Sequence, residues 1–493
     1  MVVHPAIFEA LVFSLMGFAG VSMGLLLGVR KIAPLAVLAL GASIVFRVWT
    51  TFAAWSLGRP DLTWELWFWG SLAVVGIAAV INWRRWKEAL GALVLFGTAS
   101  VIALGSKYVF DIGERHHSDS ANVLALAIVA IQGDMESVEA ISNSYKRGIA
   151  YPLMLGLGPE GRILAGFTPL VFLIILLAAS WLAWDQLGSG SSKWQFGFVL
   201  AAVFGFGLSV PMFRASMFYL NGHTLMGLAV LLLAAGLLLM RSQGSFAGTP
   251  AAFVLVGGVL GVTSRVEGVA LVLAVVAAIA GTFKAQSLSE RLTFFTVISL
   301  IGLSLPWWLV TLDSPALERV GVPGEILPWV ALVGSALVSI PLVDRIRPLF
   351  LPIFSGILLF LLGSQVWEAN EPLRVILTQW PNLGLGAGGW GTAAHVFVGS
   401  LVLLGWRARS HAYRWLVILV AVTLGAILYS KTFDGGFGGS GFYDSVNRMW
   451  LHAMPLITAM TLLGYNELVE QIRSWRRSGR DADVKAGAMP SPS

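Results

Sequence analysis

Long runs of apolar residues, separated by short polar or glycine-containing breaks, fill this chain from its first residues to about position 465. A helix needs roughly 20 mostly apolar residues to cross a membrane, within a range of about 17–25. Fifteen segments meet or approach that length: 7–28, 32–54, 65–82, 89–110, 163–184, 195–212, 223–240, 249–264, 267–283, 292–312, 326–343, 348–365, 390–406, 413–430 and 448–464. The runs are continuously apolar and lack period-two alternation, so helices are predicted rather than barrel strands. The expected fold is all-α, a polytopic transmembrane bundle of about 15 helices.

Composition agrees. Of 493 residues, 57% are apolar and only 12% are Asp, Glu, Lys or Arg, about half the ~25% of a soluble protein. Mean hydropathy is +0.80. A soluble enzyme, a disordered chain and a nucleic-acid binder with a single anchor are excluded. The chain has no cysteine, which removes disulfides, thiolate catalysis and cysteine-based metal sites. The run from Ile7 to Gly28 is too long for a signal peptide and lacks a basic leader, so it is expected to be a retained helix.

Charge placement orients the bundle. With the N-terminus outside, 19 of the 32 basic residues fall on the inner side, mostly in short loops, and 12 fall outside. Arg47 lies within the second span. The C-terminus, with Arg473, Arg476, Arg477 and Arg480, is then cytoplasmic, and residues 473–493 read as a basic, disordered tail. A prokaryotic inner membrane is the expected location. The long loops, 111–162, 313–325, 366–389 and 431–447, all fall outside. Loops beyond ~12–15 residues are commonly functional. Chemistry is therefore expected on the outer face.

Loop 111–162 concentrates Asp111, Glu114, Arg115, His116, His117, Asp119, Asp134, Glu136 and Glu139. Its apolar run, Ala121 to Ile131, is too short to span and predicts an interfacial helix with Ser118 or Asp119 at its start. Asp119 is equally compatible with a plain N-cap, and His116 and His117 with solvated loop residues. His116-His117-Ser118-Asp119 is too compact to complete a metal site, so no metal is expected.

Gly133 follows Asp119, and Tyr151-Pro152 precedes the next span. With the acidic start of the loop helix, this order resembles the GT-C superfamily of integral-membrane glycosyltransferases, which use polyprenyl- or dolichyl-phosphate-linked sugars. The resemblance implies that Asp119 is the essential acid of the first outer loop. A second acid would be Glu114, Asp111 or Asp134.

Further features extend the resemblance. Arg265 and Glu267 interrupt the apolar stretch 251–283, whose halves are too short to span independently. Charges at such depth are costly unless they face a polar cavity. A mutual pair stapling a hairpin is the structural alternative. The segment Arg265-Val266-Glu267-Gly268 is similar to a recurring GT-C segment. Arg214, Tyr219, Asn221 and His223 cluster where GT-C proteins border the sugar site. In the last outer loop, five glycines between Gly435 and Gly441 follow Lys431, and Arg448, Trp450 and Pro455 loosely match a GT-C pattern at the last helix.

The resemblance implies donor-phosphate binding by Arg265, Arg448 and Lys431, and substrate binding by His116, His117, Arg214, Tyr219, His223 and Glu267. The expected domains are an N-terminal three-helix addition (1–88), a catalytic membrane core (89–312), C-terminal helices (313–472) and the tail. A polyprenyl-phosphate sugar would be the co-substrate, with no other cofactor. The partner would be a glycan, lipid or protein acceptor, and no nucleic acid is expected. A transporter or flippase for a lipid-linked or anionic solute is the rival reading. A GT-C-type polymerase or ligase is a third.

Overall fold

The computed structural model describes residues 4–109, 118–134, 148–156, 163–185, 193–217, 222–265, 287–304 and 326–340, with isolated residues and short stretches elsewhere as far as Trp475. Among the described residues every regular element is helical, and β pairing is limited to isolated bridges such as Gly156 with Ile163. Among the described residues six helices are long and apolar enough to cross a membrane, which marks a membrane-embedded protein. They are α1 (Pro5–Leu26), α2 (Ile32–Ser56), α3 (Thr63–Ile81), α4 (Trp86–Tyr108), α7 (Phe167–Asp185) and α10 (His223–Gln243). At ~1.5 Å per residue they are about 28–38 Å long, comparable to a hydrocarbon core of ~30 Å.

Shorter helices among the described residues include α5 (Ser118–Gln132), α6 (Ala150–Leu155), α8 (Lys193–Ser209), α9 (Pro211–Ser216), α11 (Thr249–Ser264), α12 (Leu288–Leu303) and α13 (Leu327–Ser339). A further helix runs over residues 450–459, with Arg448 helical at its start. The expected span 413–430 lies outside the described residues, and 348–365 and 390–406 lie almost wholly outside them.

Local chemistry fixes the helix ends. Pro5 opens α1, and the His4 ring accepts a hydrogen bond from the Ala6 N–H at 3.3 Å. Ser287 caps α12 by accepting from the Glu290 N–H at 3.2 Å. Glu290 in turn accepts from the Ser245 hydroxyl at 2.5 Å, which ties α12 to the end of α10. Gly28 has φ +86° just beyond α1, and a Cβ there would come within 3.2 Å of Gly248. A side chain would be both strained and crowded at that crossing.

Burial orders the bundle. α10 is wholly buried and α7 nearly so, whereas α3 and α4 expose most of their apolar surface. α10 and α11 pack closely: a Cβ at Gly257 would lie 2.9 Å from the Leu233 nitrogen. Helix ends alternate as consecutive crossings require. Gly28 meets Gly248 and Ser245 meets Glu290 at one end, whereas Glu9 meets Tyr108 and Gly166 at the other. The second end also carries α5 and α6, and is here called the loop-bearing end.

A buried carboxylate organises that end. Glu9 is 1% exposed. It accepts from the Tyr108 hydroxyl at 2.6 Å, the Ala165 N–H at 2.9 Å and the Gly166 N–H at 2.8 Å. Residues 165 and 166 lead directly into α7, so the carboxylate sits at a helix N-terminus, where unsatisfied N–H groups and the helix dipole favour negative charge. One side chain thus joins α1, α4 and α7. A Cβ at Gly166 would come within 2.9 Å of the Glu9 carboxylate and 3.2 Å of Phe13, so a side chain there would press on the carboxylate that the Gly166 N–H holds.

Glu9→Ala leaves three buried donors without their acceptor and is expected to cost ~3 kcal/mol or more. Tyr108→Phe removes one donor but keeps both N–H contacts, and is expected to cost ~1 kcal/mol. Thermal unfolding of the purified protein in detergent would check the order. Equal midpoints for Glu9→Ala and the parent would contradict it.

Candidate functional site

The loop between α4 and α7 is anchored at both of its described ends. The Trp55 indole N–H donates to the Ala130 carbonyl at 3.3 Å, and Gly133 with φ +73° lies against Pro60. This seats the C-terminal end of α5 on the turn between α2 and α3. Further on, the Gly148 N–H donates to the Ser264 carbonyl at 3.0 Å. A Cβ on Gly148 would sit 2.0 Å from the Thr263 carbonyl oxygen, so glycine is required for this approach. The loop therefore crosses the tip of α11 beside Arg265.

The expected hairpin at Arg265 is present. α11 stops at Ser264, and Arg265 is extended (φ −160°, ψ 158°). The Gly268 N–H closes a turn onto the Arg265 carbonyl at 3.0 Å. Described residues from Gly268 to Ile279 return as helix, with Gly268 packed against the Gly261 backbone. The half-buried Arg265 thus sits at a hairpin tip that the first long loop touches.

Beside this tip lies a cluster of buried polar groups. The Tyr151 and Thr168 hydroxyls share a hydrogen bond of 2.5 Å, which joins α6 to α7. At Gly222, just before α10, a Cβ would come within 3.6 Å of the Ser264 oxygen and 3.8 Å of Tyr151. His223 opens α10. Its Nδ1 lies 2.9 Å from Nε2 of His452, and the two rings stack with centroids 5.0 Å apart. Both rings are buried. One nitrogen of this hydrogen bond must be an unprotonated acceptor, so the pair holds at most one imidazolium. Arg448 is also buried and lies one helical turn before His452, on the same face.

Gly227 allows this arrangement. A Cβ there would lie 2.8 Å from the Leu451 carbonyl oxygen and 3.3 Å from Pro455. The helix at 450–459 can therefore press directly onto α10, which brings His452 against His223.

The sequence-expected residues divide into three groups. His223, Arg265 and Arg448 lie at the loop-bearing end. His223 contacts His452, Arg448 lies one turn before His452 in the same helix, and Arg265 adjoins Ser264. Arg214 is exposed in the last turn of α9 and does not join the buried cluster. Glu114, His116, His117, Tyr219, Glu267 and Lys431 lie outside the described residues. For Asp119 the backbone is described and the side chain is not. α5 begins at Ser118, which puts Asp119 in its first turn.

Asp134, one candidate for a second acid, has a local role. It accepts from the Ser137 hydroxyl at 2.5 Å and from the Ser137 N–H at 3.1 Å. The hydroxyl above all, then the N–H, holds its carboxyl below the usual carboxylate range. This is a turn-capping carboxylate on the surface. A helix covers the expected stretch 121–131 as α5. Sequence reasoning did not find the pairing of His223 with His452, nor Thr168. The two histidines are 229 residues apart, and only helix packing joins them. Among the described residues no group of three or more His, Cys, Asp or Glu side chains is arranged to hold a metal.

Gly227→Ala should push the 450–459 helix away from α10 at a cost of about 1–3 kcal/mol, and should shift the imidazole nitrogen resonances of the histidine pair. Gly97→Ala, where a Cβ meets nothing within 4 Å, should leave those resonances unchanged. Unchanged resonances in both variants would count against packing control of the pair.

Comparisons with protein-family models, curated proteins and solved structures gave no match, so the site is read from its own residues and geometry.

Proposed function

We propose that this protein is a membrane glycosyltransferase of the GT-C type. In this reading it has about 15 helices, lies in a prokaryotic plasma membrane with its N-terminus outside and C-terminus in the cytoplasm, and works at the loop-bearing, outer end. The donor is a sugar on a polyprenyl phosphate, and the acceptor is a hydroxyl of a glycan, lipid or protein. The observation that carries the reading is the buried Arg448–His452–His223 array at the end where the first long loop docks beside Arg265. A permanently charged guanidinium buried at a helix end is costly unless it meets an anion or a polar partner, and its planar fork suits phosphate oxygens.

The chemistry needs few groups. The carboxylate of Asp119 takes the proton of the acceptor hydroxyl as that oxygen attacks the anomeric carbon. A new glycosidic C–O bond forms, and the bond from the anomeric carbon to the phosphate oxygen breaks. The departing polyprenyl phosphate gains negative charge, which Arg448 and Arg265, with Lys431 from the glycine-rich loop, stabilise in the transition state. His116, His117, Arg214, Tyr219, His223 and Glu267 are assigned to the substrate, with Glu114 assisting Asp119. No metal is assigned to the reaction.

The test is transfer of radiolabelled sugar from polyprenyl-phosphate donors to soluble and lipid acceptors in proteoliposomes. Asp119→Asn should lower turnover by about a hundredfold or more while donor binding persists. Arg448→Lys should weaken donor use by about tenfold or more, because an ammonium cannot reproduce the two-pronged contact. Full turnover in Asp119→Asn would remove that residue as the base. Wild-type protein that moves the lipid-linked sugar across the bilayer without transferring it would favour a carrier.

A further inference from the structure

The end of the bundle opposite the loops carries a cavity that the proposed reaction does not use. α11 and α12 both start at this end. Gly248, just before α11, meets Gly28, and Ser245 holds Glu290 in the first turn of α12. Deeper in the bundle the two helices touch: a Cβ at Gly258 would lie 2.4 Å from Ile301. Between the helix starts and that contact runs an open groove of about 620 Å³. Small-molecule sites occupy ~300–1,000 Å³.

The groove is apolar along its length. Leu288, Leu292 and Leu300 line it from α12, Gly248 and Leu255 from α11, and Leu27 from the end of α1. Leu288 and Leu292 are 73% and 55% exposed, so the slot opens away from the bundle. Ser289, Thr293 and Thr296 share the α12 wall, and the Thr293 hydroxyl is turned back onto the Ser289 carbonyl at 2.9 Å. Glu290 is buried and accepts from the Ser245 hydroxyl, so its charge is engaged away from the slot.

Dimensions narrow the occupant. The lining positions 288, 292, 296 and 300 form one stripe that spans ~18 Å of helix. Half of a ~30 Å hydrocarbon core is ~15 Å, so the groove runs about the depth of one leaflet. A volume of 620 Å³ spread over ~18 Å gives a cross-section of ~34 Å², less than half the ~80 Å² of a helix 10 Å across. That is room for a hydrocarbon chain and too little for a further helix.

Two cations stand at the mouth. Leu27 lines the groove, and Gly28 crosses Gly248, which lines it too. Arg30 and Lys31 follow, both exposed. Consecutive Cα atoms are ~3.8 Å apart, so these two lie within ~8 and ~11 Å of Gly28. Neither forms an ion pair with a described carboxylate. Basic side chains at a membrane surface attract anionic headgroups. We propose that the groove between α11 and α12 binds one anionic phospholipid of the leaflet at this end. One acyl chain lies along α12, and the phosphate meets Arg30 and Lys31. The site is structural, lies at the end opposite the sugar-transfer site and is independent of that reaction.

The experiment is photolabelling of the full-length protein in detergent micelles with phosphatidylglycerol that carries a diazirine in one acyl chain, the attachment points being mapped by mass spectrometry. Saturable labelling is expected on residues 248–255 and 288–300, displaced by unlabelled phosphatidylglycerol at about tenfold lower amounts than by phosphatidylcholine. The exposed face of α4, at Val94 and Val101, is the reference for bulk lipid and should not saturate. Arg30→Gln combined with Lys31→Gln should erase the preference for phosphatidylglycerol. Thr296→Trp, which fills the slot from an exposed position, should abolish groove labelling. Groove labelling no stronger than at α4 overturns the proposal, whether the slot is empty or filled by another segment or a second copy. Equal displacement by the two lipids overturns it too, as does parental labelling in Thr296→Trp. If Thr296→Trp does not fold, the Arg30 and Lys31 variant decides, and an unchanged lipid preference there overturns the site.

Discussion

The carboxylate of Glu9 is the interaction on which the loop-bearing end depends. A charged group at this depth survives only because three donors converge on it, two of them the N–H groups that open α7. α7 is one of the two most buried long helices. Its start fixes the height of Thr168, which holds Tyr151, which in turn borders Gly222, the residue before His223. One acid in the first helix therefore sets the position of groups from five other segments.

The candidate site is built by close backbone approach rather than by long side chains. Gly148 on Thr263, Gly268 on Gly261 and Gly227 on Leu451 each occupy a place where a Cβ would collide with a carbonyl oxygen. Such contacts suit a membrane interior, where packing and backbone proximity replace the hydrophobic drive as the source of helix association. They also explain why polar atoms from distant parts of the chain meet at hydrogen-bond distance. The rigid helices set the spacing, and the glycines remove the obstacles.

Polar residues in this bundle follow two distinct logics. Many Ser and Thr hydroxyls return to the carbonyl one turn earlier, as Ser180 does to Leu176 and Thr263 to Val259. They are silent as far as ligands are concerned. Arg47, Arg448, His223 and His452 are different, because each is a buried group whose polar atoms exceed what one carbonyl of the preceding turn can satisfy. These are the groups that require a tertiary explanation, and they divide between the α2–α3 seam and the loop-bearing end.

Apolar run length alone located the long helices within a few residues: 7–28 became Pro5–Leu26, 89–110 became Trp86–Tyr108 and 223–240 became His223–Gln243. It also located the short loop helix and the hairpin at Arg265, because burial in lipid imposes length and polarity rules that act on each segment separately. Arg265, His223 and Arg448 were legible as charges or polar groups at helix ends, where the hydropathy pattern breaks. Glu9, Thr168 and His452 were not singled out as site residues, since each is an ordinary residue until a partner 17 to 229 positions away comes into contact with it. Which faces meet is a property of packing between helices, and no period along one strand of sequence encodes it. The sequence therefore determined where the long apolar helices of the described chain begin and end, while only the tertiary structure decided that an acid near the N-terminus would hold α7 and that two distant histidines would share a hydrogen bond.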